Sequence, residues 1–441
     1  MPLLYSALLI APFLLFAAQA AYNLFFHPLR TYPGPLATRA SKWPCLVRVA
    51  PNQLSYIKGE AWKDIYGHRT SNGRGNIPKH KEAYPPPAEA LIRQYVGTLV
   101  HKLREMAADG NAIDMVAMLN YTTFDIMADL TFGRSLGMIE SASYVPWVQS
   151  IVGAIKFAGI LAPVKEAFPW LLPLLQRTFL RSMQEKRVAH GAFAVEHVNA
   201  RLARETTRPD IWTFVLRNSA QSAAKGGLDL AEMHTMGLAL MAAGTETTAT
   251  LLSGLTWWLC RTPEKLARLA EEVRQTFHSE EDINMQALAR LPFLNACIQE
   301  GLRMYPPVPV GLPRQVPPGG AVICGKPVAT GTLVYVSHFA AYHNASNFFD
   351  PDSFHPERWL PDADARFAND KHNAFEPFNF GPRNCVGRNL AMHEIRAILA
   401  NLVLHFDMQL SDRCDENWLD QGAWFVWDKK PLFVDMKQKA Q

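Results

Sequence analysis

The stretch FNFGPRNCVG at residues 378–387 decides how the rest of the chain is read. Cys385 closes a loop rich in Gly, Pro and Asn, and a helical pattern follows at once, from near residue 386 to about residue 406. A helix N-terminus favours the thiolate, because its free N–H groups and dipole stabilise negative charge. A thiolate held in this way can ligate haem iron and push electron density toward O–O cleavage. Gly381 permits the tight loop, and Gly387 lets the backbone approach a flat cofactor. Arg383 is placed to pair with a carboxylate such as a haem propionate. Phe378 and Gly387 bound the loop as cofactor-contacting positions. For a lone cysteine a buried turn residue would be the alternative; the ten-residue pattern argues against it.

Working outward, residues 228–260 form the longest uninterrupted helix candidate, apolar on most faces and therefore expected in the core. At its middle stands Ala243-Gly244-Thr245-Glu246-Thr247-Thr248. Glycine and hydroxyl residues inside an apolar helix weaken its ladder and invite a bend. An acid beside an alcohol there, Glu246 with Thr247, could relay protons in oxygen chemistry. The alternative is that the hydroxyls bond back to the preceding turn while Glu246 meets a basic partner. A third signal is Glu300-Gly-Leu-Arg303, an ion pair three residues apart on one helix face, which taken alone usually means only a solvated face. A second arginine, Arg358, follows in Pro356-Glu-Arg-Trp359. Two Arg and one Glu could form a buried triad that fixes the arrangement of the loop carrying Cys385.

The remaining pattern is mainly helical. Helices are expected over residues 88–107, 113–130 with a stop near Gly133, 144–161, 171–202, 263–277 and 285–304. Short strands are expected at 47–49 and 54–57. Further strands lie around Val322/Cys324 and Leu333/Val336, with turns at Cys324-Gly325 and Thr330-Gly331, and a closing hairpin at 424–432. No repeat or linker divides the body, which reads as one large helical domain with a small β-rich part.

Composition sets the outer bounds. The 441 residues carry 44 Lys+Arg against 40 Asp+Glu, a net +4, with no basic block, so nucleic-acid binding has no electrostatic footprint. Charged residues are 19%, below the roughly 25% usual in soluble proteins. Part of that deficit lies at the start, where residues 3–22 are almost wholly apolar and the first charge is Arg30. About twenty such residues suffice for a transmembrane helix. Arg30, Arg39, Lys42 and Arg48 follow the run, which leaves the body cytosolic by the positive-inside rule. The expected organisation is a membrane anchor at 1–27, a proline-rich hinge at 28–35 and a catalytic domain at 36–441. A cleaved signal peptide with an Ala18-Gln19-Ala20 site is the rival. It would permit disulfides among the six cysteines and glycans at the Asn120 and Asn344 sequons.

Together the cysteine loop, the Ala243 to Thr248 segment, Glu300-x-x-Arg303 and Pro356-Glu-Arg358-Trp resemble the cytochrome P-450 superfamily, in its order and roughly its spacing. Tyr22-Asn-Leu-Phe-Phe-His27-Pro, Val49-Ala-Pro-Asn52 and Arg303-Met-Tyr-Pro-Pro-Val-Pro-Val310 are similar to fungal microsomal members, including hydroxylases of sesquiterpenoid toxins. The resemblance implies haem b, O2 and electrons from an NADPH–haemoprotein reductase. It also implies a hydrophobic small-molecule substrate of the terpenoid or polyketide kind and an endoplasmic reticulum membrane. Carried over by position, Cys385 is the iron ligand and Thr247 with Glu246 serves proton delivery. Arg383 and Arg314 pair the propionates, while Glu300, Arg303 and Arg358 form the folding triad. Residues 308–312 line the substrate pocket and 151–180 its roof.

Two pieces that the resemblance leads one to expect are missing, near 44–47 and 80–88. The second would carry a basic helix across one haem face. A haem-poor, non-catalytic remnant of the same fold, still membrane-anchored, is therefore the alternative to a monooxygenase.

Overall fold

The computed structural model describes residues 20–23, 53–56, 86–145, 147–148, 181–204, 210–213, 215–216 and 228–439. Its helices are α1 (Pro86–Ala108), α2 (Met115–Phe132), α3 (Met138–Ser141), α4 (Arg181–Leu202) and α5 (Leu230–Arg261). They continue with α6 (Pro263–Thr276), α7 (Met285–Leu288), α8 (Pro292–Met304), α9 (His338–Tyr342) and α10 (Arg388–His405). The strands are β1 (Gln53–Tyr56), β2 (Ile113–Asp114), β3 (Arg314–Gln315), β4 (Ala321–Ile323), β5 (Lys326–Val328), β6 (Leu333–Val336), β7 (Phe406–Leu410) and β8 (Phe433–Gln438). They form three small sheets, ordered β1-β6-β3, β2-β8-β7 and β4-β5. The expected mainly helical body with a minor sheet is what forms.

Local chemistry sets the two helices that matter most. Asp114 caps α2 by accepting from the N–H groups of Val116 and Ala117, and Gly133 ends it at φ 71°, with its N–H on Asp129 O. Almost every residue of α2 is buried, as an all-round apolar helix must be. α5, of 32 residues, starts at a reciprocal capping box between Asp229 and Glu232. Its second half is buried, and Gly244 brings it close to α2: a Cβ there would lie 2.6 Å from the terminal carbon of Met127. The β4-β5 turn is the expected one, with Cys324 at φ 49° and Gly325 at φ 74°, the left-handed pair that a tight hairpin requires.

Three expectations need correction. The single helix over 285–304 is two, α7 and α8, because Pro292 opens α8 and pushes Leu291 to an extended ψ of 109°. The helix after Cys385 begins at Arg388, with Gly387 as its cap. The closing hairpin is built by β7 and β8, with Phe406 opposite Gln438 and Leu410 opposite Val434. Residues 424–426 contribute only the tip of a loop, closed by an isolated bridge between Ala423 and Trp427. β1 lies parallel to β6, Gln53 opposite Leu333; its expected companion at 47–49 lies outside the described residues.

Also outside them are most of the expected anchor, the hinge, residues 151–180 and most of the shortened stretches near 44–47 and 80–88. Among the described residues no helix is long and apolar enough to cross a membrane. Cys260, Cys297, Cys324, Cys385 and Cys414 form no disulfide with one another. The Asn120 sequon is buried inside α2, its amide donating to the Tyr144 hydroxyl at 2.8 Å, so a glycan has no room there.

Candidate active site

The cysteine loop is closed by its own backbone. Asn379 and Gly381 take left-handed conformations at φ 64° and 76°, a short turn covers Gly381–Arg383, and the Cys385 N–H donates to Phe378 O at 2.8 Å. This places the half-buried thiol just ahead of α10. A Cβ at Gly387 would stand 3.9 Å from Sγ, an ordinary van der Waals contact, so the glycine lies directly beside the sulfur. Val386 beside it is 79% exposed, a β-branched apolar side chain turned out of the fold. The Arg388 guanidinium lies over the Phe378 ring, 5.5 Å from its centroid. Arg383 is exposed and makes no ion pair among the described residues. Arg314 sits on the edge strand β3, its guanidinium donating to Pro313 O at 3.1 Å.

α5 packs against α10 and shows a second open surface. Met236, Ala239, Leu240, Ala243 and Thr247 recur at helical spacing, and Ala239 and Ala243 are exposed in mid-helix. Thr247 donates back to Ala243 O at 2.7 Å, as Thr245 does to Met241 O. Glu246 is buried on the flank of that surface, ion-paired to the buried Lys429, whose ammonium also donates to Thr250 Oγ1 at 2.8 Å. Both bonds foreseen for a purely structural segment are therefore present: the hydroxyls bond back and the acid has a cation. Thr247 nonetheless faces the open side, one residue from the acid.

The donor set at Cys385 fits a haem. Among the described residues no group of three or more His, Cys, Asp or Glu is gathered to hold a metal ion. A single soft thiolate suits a metal that carries its remaining ligands with it, as iron in a porphyrin does. A small cavity lined by Glu89, Arg93, Val96, His393 and Asn401 shares no residue with this loop or with the open side of α5, and stands apart from the site.

The predicted triad is assembled and larger than expected. Arg303 meets both oxygens of the fully buried Glu300, at 2.9 and 2.8 Å, and Arg358 Nε reaches Oε1 at 3.1 Å. Trp359 and the His355 N–H add bonds at 2.8 Å each. Arg358 also pairs with Asp370, a fourth charge that makes two cations face two carboxylates. Burial works to raise the Glu300 carboxyl, but Arg303, Arg358 and the His355 N–H outweigh it and hold it below the ordinary range. The network reaches the cysteine loop through Tyr342. Its carbonyl accepts from Arg303 at 2.9 Å, and its hydroxyl accepts from the Glu376 N–H at 3.1 Å, two residues before Phe378.

Sequence reasoning missed Asp370, Tyr342, Trp359 and Lys429. Two had a signal: Trp359 stands in the Pro356-Glu-Arg-Trp359 motif without a role assigned to it, and Lys429-Lys430 stands between Trp427 and Leu432 in a mostly apolar closing segment.

The family model described as Cytochrome P450 matches residues 57–436. Cytochrome P450 monooxygenase efuB of Hormonema carpetanum is 39% identical over 474 aligned residues, taking in 94% of this chain and 93% of the relative. Cytochrome P450 monooxygenase FUM2 of Gibberella moniliformis is 39% identical over 473, with 94% and 98% covered. Cytochrome P450 monooxygenase AMT3 of Alternaria alternata is 36% identical over 489, with 98% of each chain covered. An alignment of 474 positions exceeds the 441 residues available, so at least 33 of those positions face no residue of this chain.

Proposed function

The chain belongs to the cytochrome P450 family of haem-binding monooxygenases, and on that premise we propose that Cys385 is its iron ligand and a hydrophobic small molecule its substrate. The observation that carries the reading is the thiol itself, held ahead of α10 by the Cys385–Phe378 bond, with Gly387 beside its sulfur. When bound, the haem supplies oxygen activation: R–H, O2, two electrons and two protons give R–OH and water. The electrons come from an NADPH–haemoprotein reductase.

The chain's own residues bind, orient and move protons. The loop from Phe378 to Cys385 fixes the sulfur, and Gly387 admits a flat ring. Arg383, exposed and without an ion pair among the described residues, and Arg314 supply positive charge for propionates. Glu300, Arg303 and Arg358 hold the segment that runs into the loop. Thr247 and Glu246 form the proton route on the open side of α5. Met236, Ala239, Leu240 and Ala243 offer that side an apolar wall, which suits a terpenoid or polyketide skeleton from secondary metabolism. Residues 1–27 anchor the enzyme in the endoplasmic reticulum, residues 28–35 form the hinge, and residues 36–441 face the cytosol.

The test is spectroscopic. Reduced protein under carbon monoxide shows the thiolate-type Soret band, and Cys385→Ser loses it; a band surviving that substitution overturns the ligand assignment. The unfilled alignment positions favour one second reading, a remnant that keeps the fold and holds haem poorly. Purified wild-type protein free of haem, under conditions that load a full-length relative, would select it.

A further inference from the structure

We propose that Lys429 is a positioning residue for proton delivery: it holds Glu246 by one carboxylate oxygen and leaves the other available beside Thr247. The inference rests on the proton route proposed above. It begins from the ion pair of Lys429 with Glu246 Oε1, whose side chains are 4% and 3% exposed. A pair so deeply buried adds little net stability, because desolvation of both charges offsets their attraction. Its effect is instead to fix where the charges sit.

The geometry around the pair supports that role. A lysine ammonium has three donors. One meets Glu246 Oε1 and a second meets Thr250 Oγ1 at 2.8 Å, one turn further along α5. Glu246 Oε2 is buried with no hydrogen-bond partner among the described residues. The carboxylate is thus gripped on one side and unsatisfied on the other, at the residue next to Thr247.

The loop that carries Lys429 is itself fixed to α5. Trp427 Nε1 donates to Pro306 O at 2.8 Å, and the Trp427 ring stacks on Tyr305 at 4.7 Å. Tyr305 presses on Gly254 of α5, two turns beyond Glu246. Lys429 therefore arrives at Glu246 from a rigid support.

The other titratable groups that face Glu246 do not supply a counter-charge. Tyr144, which follows α3, and Tyr305, which follows α8, are both neutral phenols. Burial raises both, Tyr144 to about 12, and the charge of Glu246 adds to each. From α2, the Asn120 amide donates to the Tyr144 hydroxyl and the neutral Tyr121 ring packs edge-on against Tyr144 at 4.8 Å. Among the described residues Lys429 is the one cation within ion-pair distance of Glu246. Without it, burial drives the carboxyl to its neutral form.

The experiment compares full-length wild type, Lys429→Met, Lys429→Arg and the double variant Glu246→Gln/Lys429→Met. Infrared spectra at neutral pH, each taken as a difference from the double variant, read the carbonyl stretch of a protonated Glu246, with or without haem. Lys429→Met is expected to show that band; Lys429→Arg is expected to lack it. In holoenzyme with reductase, Lys429→Met is expected to release several-fold more peroxide per NADPH, with the acid limb of its pH profile moved to higher pH. Folded Lys429→Met without the infrared band overturns the proposal. So does a double variant as unstable as the single one, which would make the pair structural. Loss of the carbon monoxide band in wild type would instead count against the monooxygenase reading and leave the infrared result standing.

Discussion

The ring of Tyr305 occupies the space that a side chain at Gly254 of α5 would fill: a Cβ there would stand 2.3 Å from Cδ1 and 2.5 Å from Cγ. Tyr305 has no easy retreat, since its hydroxyl donates to Gln421 at 2.7 Å and its ring stacks on Trp427. We predict that Gly254→Ala destabilises the protein by about 1–3 kcal/mol, the usual result of overpacking a core. The better helix propensity of alanine offsets roughly 1 kcal/mol at most. Thermal unfolding checks this, and a melting temperature at or above wild type would refute the contact.

The charge cluster predicts a second effect. Arg358 sends Nε to Glu300, Nη1 to Asp370 and Nη2 to Phe349 O at 3.0 Å. Only a planar fork reaches three such directions. Arg358→Ala leaves two buried carboxylates facing one guanidinium, and breaking a buried pair costs about 3–5 kcal/mol. Arg358→Lys keeps the charge, cannot serve all three acceptors, and is expected to fall between Ala and wild type. The measurement is the melting temperature together with the fraction of protein purified with haem. Equal stability of all three would remove the cluster's structural role.

What could be read in advance followed from local chemistry. Gly381, Cys385 and Gly387 announce a loop and a helix start within ten residues, and Glu300 with Arg303 lie three apart on one face, so their pairing needs no tertiary knowledge. Asp370 and Lys429 have no such regularity. Lys429 meets Glu246 across 183 residues of chain, and neither residue type nor spacing points to the other. The break between α7 and α8 was masked because Leu288, Leu291 and Leu294 continue an apolar pattern through it, although Pro292 marks the place. The back-bonding of Thr247 is one of the two alternatives the sequence offers; its place on the half-exposed side of α5 is not legible there, since that depends on what packs around the helix.

Acid pH tests the buried histidines. Burial pushes His338 and His393 down to about 4 from 6.5. His338 Nδ1 carries its proton toward Val308 O at 2.7 Å, so the ring sits neutral in the fold. The unfolded chain takes up these protons first, so stability is full above about pH 6.5 and falls as pH drops from 6.5 to 4. Glu300, held low, adds the reverse case: its contribution is present above its unfolded value of 4.5 and is lost as pH falls through its lower folded value. We predict a decline in melting temperature that starts below pH 6.5 and continues beneath 4.5. His393→Gln should flatten the upper part of the curve; an unchanged slope there would mean that this histidine does not titrate as described.

Thr247 offers a separation of structure from chemistry. Its hydroxyl is on the open side of α5 and, among the described residues, bonds only to a carbonyl that already serves the helix ladder. Removing it should therefore change stability little, within about 0.5 kcal/mol, as for other surface substitutions away from packed contacts. If the hydroxyl delivers protons, Thr247→Ala in the reductase-coupled holoenzyme diverts NADPH consumption into peroxide several-fold, while Thr247→Ser, which restores the hydroxyl, returns toward wild type. The ratio of peroxide to NADPH, read beside the melting temperature, decides the matter. A normal ratio in Thr247→Ala would reduce this residue to the back-bonding role that its 2.7 Å contact with Ala243 already explains. A raised ratio in a protein of unchanged stability can come only from the hydroxyl's chemistry.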